Sequence, residues 1–243
     1  QSIGGKLGEW HMYRDGQWHS RGYLPHFDGE DTTQHVTIHL ADSLPKSVLE
    51  DIEVALRLVP AAERDFERWN RVEQWIDAGH GCCVLKEPEI AAMVQNALLY
   101  FDAERYRLLA WVVMPNHMHV LFKPMNGWSV STILTSWKVF TARRIHAYWR
   151  EHPEKSPHAS LEPPSRPHAK REDSVPEKPT PNRVWHREYW DRYIRNEQHF
   201  AQVRKYIHEN PVKAGLVKSP DKWLWSSGHS SYQAYGTRDP HKA

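Results

Sequence analysis

The sequence predicts an α+β domain with helices packed on an antiparallel sheet, and three observations predict it. Trp111 to Phe122, WVVMPNHMHVLF, is a pair of apolar runs joined by a Pro-Asn turn, the pattern of a buried hairpin. Gln34 to Ala41, QHVTIHLA, alternates Val36, Ile38 and Leu40 with His35, Thr37 and His39, as a half-buried first strand does. Segments with helical spacing lie between and after these, giving the order strand, helix, strand, strand, helix, strand.

Composition bounds the rest. A chain of 243 residues can bury one sizeable core, or one core with a small appended piece. There is no apolar run of about 18 residues and no signal-peptide pattern, so a soluble cytoplasmic protein with no membrane partner is expected. Cys82 and Cys83 are adjacent, which leaves no disulfide framework. The formal charge of +2 hides an asymmetry. Asp42 to Glu104 holds 13 acidic residues against 6 basic, Lys123 to Arg150 holds 5 basic and no acidic, and Arg183 to Lys222 holds 9 basic against 5 acidic. Positive charge gathered in the second half points to a polyanionic partner, for which nucleic acid is the usual candidate.

Residues 1 to 34 mix glycines with Trp10, Trp18 and Tyr23 without a sustained period and read as an irregular arm. Pro45 to Ala78 shows helical spacing (Val48, Ile52, Leu56; Phe66, Trp69, Val72, Ile76) broken by Pro60. Two packing helices with an acidic exposed face are expected there. A third helix starts at Pro88 and carries Ile90, Val94, Ala97 and Leu98 inward. Ser129 to Trp149 predicts a long basic helix with Ile133, Trp137, Phe140, Ile145 and Tyr148 as its buried stripe. Pro153 to Pro181 contains eight prolines and reads as an excursion outside the core, an insertion of about 153–182. Structure resumes at Val184, with Asn196 as the cap of a last helix from Glu197 to Asn210 and Pro211 as its stop.

On a strand, side chains alternate, so His117 and His119 point one way and Met118, Val120 and Phe122 the other. Two imidazoles converging on one point suit a divalent metal. In a chain with 17 histidines this pair needs a further ligand or a nucleophile to mean more. The last helix offers both: Tyr206 and Asn210 stand four apart, on one side of it, at the edge of the stripe Phe200, Val203 and Ile207.

MPNHMHVLF followed by the helix YIHENPVKAGLV resembles the REP-associated tyrosine transposases, single-tyrosine members of the HUH endonuclease superfamily, IS200-like. RGYLPHFDG, HVTIHLADSLP, SWKVFTARRI, REYWDRYIRNEQHF and WLWSS extend the resemblance along most of the chain. Two features depart from it: the length of the Pro-rich insertion, and Leu224 where related chains tend to have proline. The resemblance implies a ferredoxin-like antiparallel sheet, the HUH endonuclease fold, in a single catalytic domain over 35–243 with a helical insertion at about 45–80. It implies His117, His119 and Asn210 as ligands of Mg2+ or Mn2+, Met118 as the hydrophobic middle residue, and Tyr206 as the nucleophile that leaves a 5′-phosphotyrosine and a free 3′-OH.

The expected partner is single-stranded or hairpin DNA of the REP type, held by a monomer or homodimer in the bacterial cytoplasm at the nucleoid. Phosphate contacts are expected from Lys138, Arg143, Arg144, Arg187, Arg192, Arg195, Arg204 and Lys213, and base stacking from Trp190 and Trp185. His208 is a candidate base for Tyr206. An alternative is a domesticated hairpin-DNA-binding protein that does not cleave. A zinc hydrolase would need an acid or base beside the histidines, and the hairpin carries neither Glu nor Asp.

Overall fold

The computed structural model describes residues 18–20, 25–27, 32–157, 183–232 and 235. Most of the proline-rich insertion lies outside them. So does most of the N-terminal arm, although β1 (Trp18–Ser20) and β2 (Pro25–Phe27) within it pair as an antiparallel ribbon. The central elements are β3 (Gln34–His39), α1 (Lys46–Leu56), α2 (Arg64–Asp77), α3 (Pro88–Leu99), β4 (Tyr106–Val113), β5 (His117–Pro124), α4 (Val130–Glu151), β6 (Trp190–Tyr193) and α5 (Glu197–Lys213).

The four-stranded sheet runs β4-β5-β3-β6, antiparallel throughout. With α3 and α4 as the two crossovers, this is the ferredoxin-like order that the sequence implied. One face packs Val36, Ile38, Met118, Val120 and Phe122 against α3 and α4, the latter through Ile133, Trp137 and Ile145. The second face is also covered. Leu109, Val112 and Leu121 meet Phe200 and Ile207 of α5, while Trp190 packs with Val72 and Ile76 of α2 and Ile52 and Leu56 of α1. For this reason β3 is buried along its whole length rather than half-buried. Its odd-numbered polar residues therefore need partners inside the protein.

Local signals account for the helix ends. Ser129 Oγ accepts from Thr132 N at the start of α4, and Asn196 Oδ1 accepts from His199 N at the start of α5. The stripe of α4 differs from expectation at one place: Phe140 is exposed, and Thr141 takes the inward position, donating to Trp137 O. Pro211 does not stop α5. It lies in the last turn, where its missing N–H forfeits a single bond, and the helix continues to Lys213. The stop is Gly215 at φ +71°: Gly215 N donates to Val212 O at 3.0 Å and Leu216 N to Pro211 O at 2.9 Å, a complete Schellman motif. Gly215→Ala is expected to cost about 1 kcal/mol, the penalty of a Cβ at positive φ, although nothing crowds the position; chemical denaturation would measure it. No helix among the described residues is long and apolar enough to cross a membrane.

Candidate metal and tyrosine site

The register carries the site. Thr37 is opposite His119 and His39 opposite His117 on β3 and β5, while His35 is opposite Arg192 on β6. Residues directly opposite share a face, so His35, Thr37, His117, His119 and Arg192 stand together on the face that α2 and α5 cover. Asn116, in the turn, explains how α2 is held there. Its Nδ2 donates to Ile76 O and His80 O, both at 3.0 Å, so the end of α2 is fastened to the hairpin beside the histidines.

The hydrogen bonds also assign the histidine protons. Asn116 Oδ1 lies 2.8 Å from His117 Nδ1 and, as an acceptor, places a hydrogen on that nitrogen. Thr37 Oγ1 donates to Glu73 Oε1 at 2.8 Å, so its lone pair must receive Nδ1–H of His119, 3.0 Å away. Both Nε2 atoms are thereby left to face each other, 3.1 Å apart. Two lone pairs at this distance repel unless a proton or a cation sits among them. About 3 Å is also the separation of two imidazole nitrogens in adjacent positions around one ion at ~2.1 Å. Outer partners such as Asn116 and Thr37 are what metal-binding histidines usually have.

Tyr206 and Asn210 of α5 reach the same point, as their spacing implied. Tyr206 Oη donates to Glu73 Oε2 at 2.9 Å and lies 3.3 Å from Asp77 Oδ2 and 3.5 Å from His119 Nε2. Asn210 Nδ2 lies 3.3 Å from both Asp77 Oδ1 and His119 Nε2, and its Oδ1 is buried with no partner.

Sequence reading missed Glu73 and Asp77, having assigned α2 to packing with its acids facing out. Glu73 is 4% exposed, and Asp77 Oδ1 lies 3.4 Å from His117 Nε2 and 3.9 Å from His119 Nε2. Asp77, His117 and His119 form a cluster able to hold a metal ion. The available signal was the four-residue spacing of Glu73 and Asp77 beside the stripe positions Val72 and Ile76. The orphaned Asn210 oxygen and the facing Nε2 atoms both fit a cation at this point.

Burial and the facing charges set the proton affinities at this centre. Burial pushes the Asp77 carboxyl up, but hydrogen bonds and positive charge from His117 and His119 outweigh it and hold it well below its usual range. Burial raises Glu73. His117 is pushed down to about 4, chiefly by burial, whereas burial of His119 is outweighed by the negative charge of Glu73 and by the hydrogen bond and charge of Asp77, so His119 is raised. Tyr206 is pushed upward by burial and by both carboxylates.

Other expectations need correction. His208 does not face Tyr206: it bonds to Ser227 Oγ at 2.8 Å and is pushed down to about 4, first by burial and then by Arg204. Being neutral when folded and protonatable near ~6.5 when unfolded, His208 supports stability that is complete above pH ~6.5 and is lost as pH falls toward 4, up to ~3 kcal/mol. Thermal melts from pH 7 to 4.5 should fall less steeply in His208→Gln than in the natural protein. Trp190 and Trp185 are 8% and 3% exposed and cannot offer a ring face to a base. Trp185 Nε1 instead donates to Thr141 Oγ1. Lys138 Nζ donates to the carbonyls of His186 and Arg187, tying that loop to α4. Arg143 and Arg144 are exposed on α4, in the layer across the sheet from Tyr206. Arg187 is exposed and lies 3.8 Å from Glu188, and Arg204 sits over the Phe200 ring. Lys213, Arg192 and Arg195 remain near the site, Lys213 with its Nζ 5.0 Å from the centre of the Tyr206 ring.

The family model described as transposase IS200 like matches residues 87–160, the stretch from α3 through β4, β5 and α4 that contains both histidines. The matched stretch is similar to an IS200-like transposase. A REP-associated tyrosine transposase of Escherichia coli K12 is 26% identical over 138 residues, 56% of this chain and 64% of that protein. A Haemophilus influenzae relative is 37% identical over 51 residues, 21% of this chain and 29% of that one. The chain thus spans just under two thirds of the first relative and less than one third of the second. Among solved structures, a REP-associated tyrosine transposase bound to a REP hairpin overlaps 91% of each chain at 17% identity and a TM-score of 0.41. A Deinococcus radiodurans R1 chain described as a transposase overlaps 79% of this chain and 96% of that one at 16% identity and a TM-score of 0.28. The family resemblance read from the sequence is borne out, and the matched segment holds His117 and His119 on β5, while Glu73 and Asp77 come from α2, before it, and Tyr206 and Asn210 from α5, beyond it.

Proposed function

We propose that this protein cuts and rejoins single-stranded DNA flanking a hairpin of the REP type, with Tyr206 as nucleophile and a divalent ion, Mg2+ or Mn2+, at the histidine pair. The observation that carries the reading is the placement of Tyr206 Oη 3.5 Å from His119 Nε2, at the same point as His117, Asp77 and Asn210. The ion would be held by His117, His119 and Asp77, with the Asn210 amide turned to present Oδ1. When bound, it supplies positive charge for a non-bridging oxygen of the scissile phosphate.

The chain's own residues perform the rest. Tyr206 Oη attacks phosphorus as its proton passes to Glu73 Oε2, the carboxylate it already donates to and one that burial has raised toward proton affinity. The bond from phosphorus to the 3′ oxygen breaks, and that oxygen takes up the proton that Glu73 received, directly or through water, to become a free 3′-OH. The 5′ phosphate stays on Tyr206 as a phosphodiester, so the reverse attack by a 3′-OH rejoins a strand without an external energy source.

A second reading has a specific observation behind it. Glu73 and Asp77 supply the carboxylates that the hairpin itself lacks, so the centre could activate water as a metal-dependent phosphodiesterase. A denaturing gel of the protein with end-labelled hairpin oligonucleotides and Mn2+ separates these readings. A labelled protein band that survives denaturation and is lost with EDTA supports the tyrosine mechanism. Cleaved DNA without that band supports the hydrolase, and tight binding with neither supports the non-cleaving hairpin binder.

A further inference from the structure

We propose that the cleft at the start of α5, lined by Arg192, Arg195 and His199 with His35 beside it, is a binding subsite for a phosphate of the DNA strand next to the one at Tyr206. The inference rests on the proposed function for its choice of ligand, but the anion site itself stands on observations of its own. The cleft has a volume of roughly 290 Å3, and Asn196, Gln198 and Gln202 complete its polar lining. His35 and Arg192 are cross-strand partners on the sheet face that carries the histidine pair. The His35 ring centre lies 6.1 Å from that of Tyr206 and 5.4 Å from that of His119, so His35 adjoins the nucleophile on one side and, through its cross-strand partner Arg192, the cleft on the other.

Two features mark the cluster as incomplete. His35 is 3% exposed, yet its Nε2 has no hydrogen-bond partner, a costly arrangement for a buried polar atom. The charges that act on His35 and His199 are also positive. Burial and then the positive charges of its neighbours lower His35, Arg192 and His199 alike: Arg192 acts on both histidines, and Arg195 acts on Arg192 and His199. The carboxylate that acts on Arg192 is Glu73, already engaged by Thr37 and Tyr206. A tetrahedral oxyanion answers both needs, accepting from His35 and from guanidinium groups in charge-assisted bonds. The groups are also held in place. The Arg192 guanidinium lies 4.7 Å from the Trp69 ring centre, and His199 Nδ1 accepts from Arg195 N at 3.4 Å, leaving its Nε2 for a ligand. A strand whose scissile phosphate reached Tyr206 would continue past His35 into this cleft.

The test uses inorganic phosphate first, at constant pH and ionic strength, following the ring-proton NMR signals of His35 and His199. Both are expected to move with phosphate in the natural protein and to stay still in the Arg192→Gln/Arg195→Gln variant, provided its circular dichroism is unchanged. Signals that stay still in the natural protein, or that move equally in the variant, overturn the subsite whatever the protein does with DNA. The second arm measures affinity for a thymidine oligonucleotide against salt concentration. Arg195→Gln is expected to reduce the log–log slope by ~0.7, the share of one phosphate contact on a single strand. An unchanged slope overturns the assignment to DNA. If the natural protein binds neither this oligonucleotide nor a hairpin, the proposed function fails instead, and the phosphate titration alone decides the anion site.

Discussion

Tyr206→Phe is expected to abolish the covalent protein–DNA product, a loss of at least ~10^3-fold in its rate of formation, while hairpin binding changes by less than about threefold. The substitution removes one oxygen. The ring keeps its place beside His119 and His35, with centres 5.2 and 6.1 Å away, so the packing of α5 on the sheet is retained. What is lost is the atom that meets phosphorus and the donor to Glu73, whose other oxygen still accepts from Thr37. The measurement is the labelled band on a denaturing gel beside a binding isotherm for the same oligonucleotide. Cleavage that persists in Tyr206→Phe would transfer the chemistry to water and to the Asp77, His117 and His119 centre.

Asp77→Asn tests the residue that sequence reading did not include. The side chain keeps its shape but loses the charge that faces His117 and His119, lies 3.3 Å from Tyr206 Oη and accepts from Asn210. Mn2+ affinity, measured by calorimetry, is expected to fall by ~10- to 100-fold, as it does when an ion loses a charged or orienting partner. Formation of the covalent product should fall with it, and raising Mn2+ should recover part of it. An unchanged affinity would mean that His117, His119 and Asn210 suffice, the ligand set implied by the family resemblance. Removing a negative charge from beside a buried pair of histidines also removes part of what raises His119, so its affinity for a proton should fall in the variant.

The site was legible wherever a local period decides geometry. Alternation along β5 put His117 and His119 on one side, and the four-residue spacing in α5 put Tyr206 and Asn210 on one side, before any tertiary contact was known. Helix caps behaved likewise, since Asn196 and Ser129 act on the turn that follows them. Pro211 shows the limit of a local rule. A proline can sit in a helix's last turn at small cost, and the true stop lay at the glycine that could take a positive φ.

The sequence by itself determined the strand and helix order, the histidine pair, the tyrosine with its amide neighbour, and the family resemblance that joins them. The tertiary structure alone decided what surrounds them. Glu73 and Asp77 are 44 and 40 residues from His117 in the chain, and only the docking of α2 on the second sheet face, fastened by Asn116, brings their carboxylates inward. In the same way, burial of Trp190, capture of Lys138 by two carbonyls and separation of Arg143 and Arg144 from Tyr206 by the sheet follow from which layer each element joined. A periodicity fixes the side of its own element on which a residue stands. Which other element covers that side depends on the packing of the whole chain, and at this site the packing sets the charge.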